Sequence, residues 1–328
     1  MKKRIAVFFT GGTISMKYDP VIGGAVPVLS GQEIVDSVPG LGKAADIRII
    51  DFGRYPGPHM TPVLMMELST QIRRAVDDKE IDGVVVTHGT DTLEETAFFL
   101  DLTVETEKPI VVTGAMRNSS ELGWDGPQNL LSAVRVAASE NTQGLGVLVA
   151  MNETILAASE ATKTNTEAFD AFQSPDFGPL GIVDKGRILI HRKPMGRAHI
   201  NASQLVEPVF LIKMTSGSDS TLIDACVKAG AKGLVIEALG RGNVPPACIE
   251  GIKEAVAGGI PVVITSRCLR GRVLDTYGYA GSGKILRGLG VIFAGFLNGQ
   301  KARIKLELAL AEVNDRAGLQ NVFESGEY

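Results

Sequence analysis

Strand-length apolar runs with almost no polar alternation recur at residues 5–9, 47–52, 83–87, 109–113 and 146–151. A strand with one face in water alternates apolar and polar residues, whereas a strand covered on both faces has no need to. Stretches with helical spacing lie between these runs, at 32–38, 62–78, 93–102 and 128–138. Buried strands joined by helices predict the α/β class, with a mainly parallel sheet packed on both faces. From 188 to 206 the pattern loosens, and "HRKPMGRAHINASQLVE" carries charges, Pro194 and Gly196. A second series follows, with strands at 209–214, 233–239, 261–265 and 291–294, helices at 221–229 and 248–257, and a closing helix at 300–311. The reading is a larger N-terminal α/β domain over 1–190, a linker over 191–207 and a smaller C-terminal α/β domain over 208–328.

Charge and composition narrow the function. The 328 residues carry a formal charge of −4 and no basic block, which argues against nucleic acid as the partner. After Met1-Lys2-Lys3-Arg4 the apolar run is five residues long, short of the roughly 7–15 of a secretory core. No run reaches the ~18 apolar residues of a membrane span. Cys226, Cys248 and Cys268 form neither a metal pattern nor an even disulfide set. The expectation is a cytoplasmic protein with no membrane partner.

Ligands of an open parallel sheet bind beyond the carboxyl ends of its strands. Three of the predicted strands leave alike, through "FFTGG" at 8–12, "VVTHG" at 85–89 and "VVTGA" at 111–115. Glycine there permits positive φ and close approach to the backbone. If the three strands are neighbours, the exits share one rim. The first exit places Thr13 directly after Gly11 and Gly12. It lacks the spacing of G-x-G-x-x-G and of the phosphate-binding P-loop. The second, "THGTDTLEETAFF", puts Thr90, Asp91 and Thr92 before a helix. Two readings stand there: a helix cap, with Thr92 and Glu95 as a capping box, or a chemical site. His88 has no second histidine or cysteine three or four residues on, so it reads as structural and not as a metal ligand. "EATKTNTEAF" presents Lys163 among threonines, either solvated or buried as a base.

These parts suit nucleophilic acyl transfer. A threonine hydroxyl is a weak nucleophile and needs a base. Lysine can take its proton, a carboxylate can orient the lysine, and backbone N–H groups at the glycine exits can stabilise an oxyanion.

Thr10-Gly11-Gly12-Thr13-Ile14 together with His88-Gly89-Thr90-Asp91-Thr92 resemble the paired signatures of the bacterial L-asparaginases. The likeness continues through Gly114-Ala115-Met116-Arg117, Asp125-Gly126-Pro127, Thr162-Lys163-Thr164-Asn165-Thr166, Phe177-Gly178-Pro179-Leu180-Gly181 and Lys301-Ala302-Arg303-Ile304, nearly the whole chain. The resemblance implies an amidohydrolase that splits the side-chain amide of asparagine, sometimes glutamine, through a threonine acyl-enzyme without metal or organic cofactor. It implies Thr13 as nucleophile, Thr90 paired with Lys163, and Asp91 holding the substrate α-ammonium and orienting the lysine. Ala115 would offer its carbonyl to the substrate amide, with Gly12 and Gly89 lining the site. It further implies a homotetramer of intimate dimers, or a homodimer, with Asn243 of "GRGN" completing a neighbour's site.

Two segments depart from the family pattern. A serine that binds the substrate α-carboxylate is replaced within "DFGRYPGPHMTP", where Gly57 takes its position. The candidates for that contact are the N–H groups of Gly57 and His59, the His59 ring and Arg54, against the plainer reading of a rigid Pro-Gly-Pro turn. The family's loop tyrosine aligns with Ala25, and the nearby tyrosine is Tyr18. These departures keep open a glutaminase or related amidase, and a non-catalytic amino-acid-binding paralogue.

Overall fold

The structure, a computed structural model, describes residues 2–313 and 315–324. The chain forms two compact units that divide between Pro194 and Met195. No regular element occurs between residues 191 and 208.

The first unit contains strands β1 (Arg4–Gly11), β2 (Met16–Asp19), β3 (Gly24–Pro27), β4 (Asp46–Tyr55), β5 (Gly83–Thr87), β6 (Ile110–Thr113), β7 (Val147–Met151), β8 (Thr154–Ala157), β9 (Thr162–Lys163), β10 (Phe172–Gln173), β11 (Gly181–Asp184) and β12 (Arg187–Ile190). Its helices are α1 (Gly31–Asp36), α2 (Leu41–Ala44), α3 (Pro62–Asp77), α4 (Leu93–Thr103) and α5 (Gly126–Ala137). An eight-stranded sheet runs in the order β12-β11-β8-β7-β6-β5-β1-β4. From β4 to β7 every pairing is parallel, and β8, β11 and β12 extend the other edge antiparallel. β1, β5 and β6 are adjacent, so the three related exits do lie on one rim.

The uninterrupted apolar runs have a direct explanation. Successive residues of a strand face opposite sides. In β1, Ile5, Val7 and Phe9 enter one core with Ile34, Leu41, Leu130 and Val134 from α1, α2 and α5. Ala6 and Phe8 enter another with Leu68, Ile72, Leu93 and Ala97 from α3 and α4. β5, β6 and β7 divide their side chains in the same way. Each fully buried large apolar side chain is worth about 1.5–3 kcal/mol, so exchanging either face for polar residues would cost more than a domain's net stability within a few positions.

Local chemistry sets the helix ends. Thr61 caps α3 by accepting the Leu64 N–H at 3.3 Å, with Pro62 at the first helical position. The unit's capping box is at α1, where Ser30 and Glu33 satisfy each other's backbone N–H. The box expected at Thr92 and Glu95 is not formed: Thr92 flanks α4 but makes no side-chain cap bond. The sequence reading also missed the β2–β3 hairpin and the antiparallel edge. Residues 188–190, read as the start of the loosened stretch, belong to β12.

The second unit has a four-stranded parallel sheet, β13 (Val209–Lys213), β14 (Gly233–Ala238), β15 (Val262–Ser266) and β16 (Ile292–Phe293), in sequential order. Helices α6 (Thr221–Lys228), α7 (Ile249–Ala257), α8 (Gly283–Leu289), α9 (Gly299–Glu312) and α10 (Arg316–Glu324) accompany it. α8 and α10 were not foreseen. Ile212, Leu234, Ile236, Ile252, Val262 and Ile264 are among its core side chains.

Candidate active site

Four neighbouring strand exits form the rim: β4 into a turn at Gly57–His59, β1 into a turn at Thr13–Ser15, β5 into 88–92, and β6 into 114–117. Their backbones touch, and glycine makes that contact possible. Gly12 sits at φ +80°, and a Cβ there would lie 2.3 Å from both Cα and N of Gly89. A Cβ on Gly89 would lie 2.5 Å from the Gly57 nitrogen, and one on Gly114 2.6 Å from the His88 oxygen. Real Cβ atoms do not approach so closely, so these glycines permit loop-on-loop stacking as much as access for a ligand.

Side chains lock the stack. The Thr10 hydroxyl donates to the Thr87 carbonyl at 2.7 Å. The Thr92 hydroxyl, free of capping duty, donates to the Gly57 carbonyl at 2.7 Å and ties the β5 exit to the β4 exit. His88 is fully buried, with Nδ1 2.8 Å from the Gly89 carbonyl and Nε2 2.8 Å from the Thr96 hydroxyl. A nitrogen facing a carbonyl must carry the proton, so Nδ1–H donates and Nε2 accepts. Burial lowers the His88 pKa from 6.5 to about 4, against a smaller upward pull from the Gly89 carbonyl, so the ring is neutral near pH 7. The structural reading of His88 stands; its grip on Gly89 could not be seen from spacing.

Lys163 reaches the rim from the short β9–β10 ribbon, where it pairs with Phe172. Its Nζ lies 3.0 Å from Thr90 Oγ1 and 2.8 Å from Asp91 Oδ1. The Lys163 side chain is 16% exposed and that of Asp91 60% exposed. An ion pair with one member so exposed is worth roughly 0–1 kcal/mol of stability. Stability therefore gives little reason to place the pair here, and a chemical use gives more. The side chain of Glu160, three residues before Lys163, is covered in a forked pair with Arg192. Arg192 also holds the Gly178 carbonyl, so this pair closes the base of the excursion that carries Lys163.

Thr13 opens the turn after Gly12, half-buried, while Thr90 is buried. Among the described residues, the N–H groups of Thr13, Gly57, Gly89, Thr90 and Asp91 have no hydrogen-bond acceptor. Ala115 is fully buried just past β6. The His59 N–H donates to the Pro56 carbonyl at 2.9 Å, which removes it from the candidates for a substrate carboxylate. The His59 ring is exposed. Arg54 is exposed too, and lines a cavity of about 130 Å³ with Ile34 of α1, Phe9 and Asp51.

Tyr18 is exposed on the β2–β3 hairpin and pairs directly with Ala25 across the ribbon. Directly opposed residues project from the same face. The hairpin is tied to the 117–122 loop: the Tyr18 N–H donates to the Ser120 hydroxyl at 2.9 Å, and the Ser119 hydroxyl to the Met16 carbonyl at 2.9 Å. Asn243 lies in the second unit, where its Oδ1 accepts the Gly283 N–H at 3.3 Å at the start of α8. Among the described residues no three His, Cys, Asp or Glu side chains converge as a metal site.

The profile "Asparaginase, N-terminal" matches residues 4–196, and "Glutaminase/Asparaginase C-terminal domain" matches residues 208–323. An L-asparaginase of Bacillus licheniformis is 36% identical over 98% of this chain and 99% of its own length. A probable periplasmic L-asparaginase of Haemophilus influenzae is 36% identical over 98% of this chain and 92% of its own. The crystal structure of a probable cytoplasmic L-asparaginase from Campylobacter jejuni superposes with a TM-score of 0.90 at 34% identity, covering 98% of this chain and 99% of that one. Matched by both profiles in order and similar along nearly its whole length to these proteins, the chain belongs to the asparaginase family.

Proposed function

We propose that the chain hydrolyses the side-chain amide of L-asparagine to L-aspartate and ammonia through an acyl-enzyme on Thr13. The observation that carries this reading is Lys163 bridging Thr90 Oγ1 and Asp91 Oδ1, on the rim where Gly12 and Gly89 pack, in a chain of this family. The Thr13 hydroxyl attacks the amide carbon, its proton passes to the Thr90–Lys163 pair and from there to the amide nitrogen, and the C–N bond breaks to release ammonia and leave the ester on Thr13. Water then cleaves the ester. Lys163 acts as the base toward Thr90, and Asp91 orients it and balances the charge of its protonated form. The unpaired N–H groups of Thr13 and Thr90 are donors for the developing oxyanion. Asp91 receives the substrate α-ammonium, the N–H groups of Gly57 and Asp91 receive its α-carboxylate, and the Ala115 carbonyl receives its amide N–H. The His59 ring remains a second candidate for the carboxylate. Tyr18, opposite Ala25 on the hairpin, takes the part of the loop tyrosine.

A second reading, glutaminase or a related amidase, is favoured by the absence of any side chain at Gly57, which leaves substrate recognition to backbone donors. The assembly proposed is a homotetramer or homodimer with Asn243 at a neighbour's site. No described helix is long and apolar enough to cross a membrane. The compartment proposed is the cytoplasm, in line with the description of the Campylobacter protein and in contrast to that of the Haemophilus relative.

Ammonia release from L-asparagine, L-glutamine and their D-forms tests the reading. Wild type is expected to prefer L-asparagine, and Thr13→Ala and Lys163→Met to lose activity, the former by on the order of 10⁴ or more. A Thr13→Ala enzyme retaining a tenth of the activity would exclude Thr13 as nucleophile. Preference for glutamine would favour the second reading. No turnover of any amide would point to a binding protein.

A further inference from the structure

Side chains hold the segment Gly114–Arg117 from one side. The Gly114 N–H donates to Met151 Sδ at 3.2 Å, and the Gly114 carbonyl accepts from Asn129 Nδ2 at 3.0 Å. The N–H groups of Met116 and Arg117 donate to the two carboxylate oxygens of Asp125, at 3.0 and 2.9 Å. Asn129 Nδ2 also donates to Asp125 Oδ2 at 2.9 Å, and Asn129 Oδ1 accepts the Asn152 N–H at 3.0 Å. Asn129 is buried, one turn after Asp125 at the start of α5. Of the four residues only Ala115, fully buried, has both its N–H and its carbonyl without a partner among the described residues.

Peptide planarity turns this arrangement into a direction. In a trans peptide the carbonyl points opposite to the N–H of the next residue. Met116 N–H is bound to Asp125, so the Ala115 carbonyl points away from Asp125. Gly114 carbonyl is bound to Asn129, so the Ala115 N–H points away from Asn129. Buried backbone polar groups are rarely left unpaired, because losing water without gaining a partner is costly. An orphan whose direction is dictated by a carboxylate on one neighbour and a carboxamide on the other is a group held for a ligand.

We propose that Asp125, braced by Asn129, is a positioning residue for amide cleavage. It aims the Ala115 carbonyl so that it accepts the N–H of the substrate amide and holds the departing nitrogen. This rests on the proposed amidase reading, and the chemical consequence is selectivity for an amide over an ester. An ester of the same acid has no N–H to offer that carbonyl, so its cleavage does not depend on where the carbonyl points.

The test compares L-asparagine with the β-methyl ester of L-aspartate, which shares its α-ammonium, α-carboxylate and acyl-enzyme. kcat/KM is the quantity to read, because it reports steps up to acylation and is blind to the shared deacylation. Asp125→Asn replaces one acceptor oxygen by a donor and misdirects the segment. It should lower kcat/KM for the amide at least about tenfold, the effect of losing a charge-assisted bond, while the ester changes less than about threefold. Asn129→Ala keeps both Asp125 bonds and should give the same selective loss to a smaller degree, which covers the case in which Asp125→Asn does not fold. Equal losses on amide and ester in the folded variants, or an unchanged amide rate, would overturn the proposal. A wild type that cleaves the ester and no amide would overturn the amidase reading itself, and is told apart by needing no variant.

Discussion

His88 gives the prediction with the clearest magnitude. Its imidazole is buried and neutral, donating to Gly89 and accepting from Thr96. Removal from water lowers its pKa from 6.5 to about 4. The unfolded chain takes up a proton near pH 6.5, and the folded chain does not until about pH 4, so acid favours unfolding in that window. The stabilisation is fully present above pH 6.5 and is lost as the pH falls toward 4. At about 1.4 kcal/mol per pH unit, a window of about 2.5 units corresponds to about 3 kcal/mol. His88→Gln removes the titrating group and part of the hydrogen bonding. The variant should be less stable than wild type at pH 7.5 by about 1–3 kcal/mol, and this gap should shrink by about 2–3 kcal/mol at pH 4.5. Urea titrations of both proteins at equal protein concentration measure it, and the carboxylates titrating over the same range cancel in the difference. A gap that stays constant within about 0.5 kcal/mol from pH 7.5 to 4.5 would refute the assignment of a buried neutral imidazole.

Gly12→Ala puts a Cβ 2.3 Å from the Gly89 backbone at a positive φ and should cost about 3 kcal/mol or more. Gly24→Ala, with nothing within 4 Å, should stay within about 0.5 kcal/mol in the same thermal melts; equal effects would show that glycine stacking does not hold the rim. Light scattering should find at least a dimer, and Asn243→Ala should lower turnover although its residue lies in the second unit. A fully active monomer would contradict the shared site.

Much of this fold can be read along the chain, because burial on both faces of a strand leaves a local mark. Ile5, Val7 and Phe9 serve one core and Ala6 and Phe8 the other, so β1 appears as one apolar run. The Thr-Gly exits are equally local, as is the succession of two α/β series. What a linear pattern does not contain is the identity of the partner. The order β4-β1-β5-β6 arises from pairings dozens of residues apart. Ser30-x-x-Glu33 and Thr92-x-x-Glu95 present the same capping pattern, yet only the first forms. The Thr92 hydroxyl meets the Gly57 carbonyl instead, 35 residues away. The antiparallel edge and the hairpin at 16–27 were missed because their strands are short and partly exposed, and part of what holds the hairpin comes from Ser119 and Ser120. Thr13, Thr90, Asp91 and Lys163 were each visible as reactive types. Lys163 met Thr90 and Asp91 through a ribbon braced by Glu160 and Arg192, and the direction of the Ala115 carbonyl came from Asp125 through one planar peptide. Propensity acts over a few residues, whereas hydrogen bonds and packing act between whatever surfaces the fold brings together.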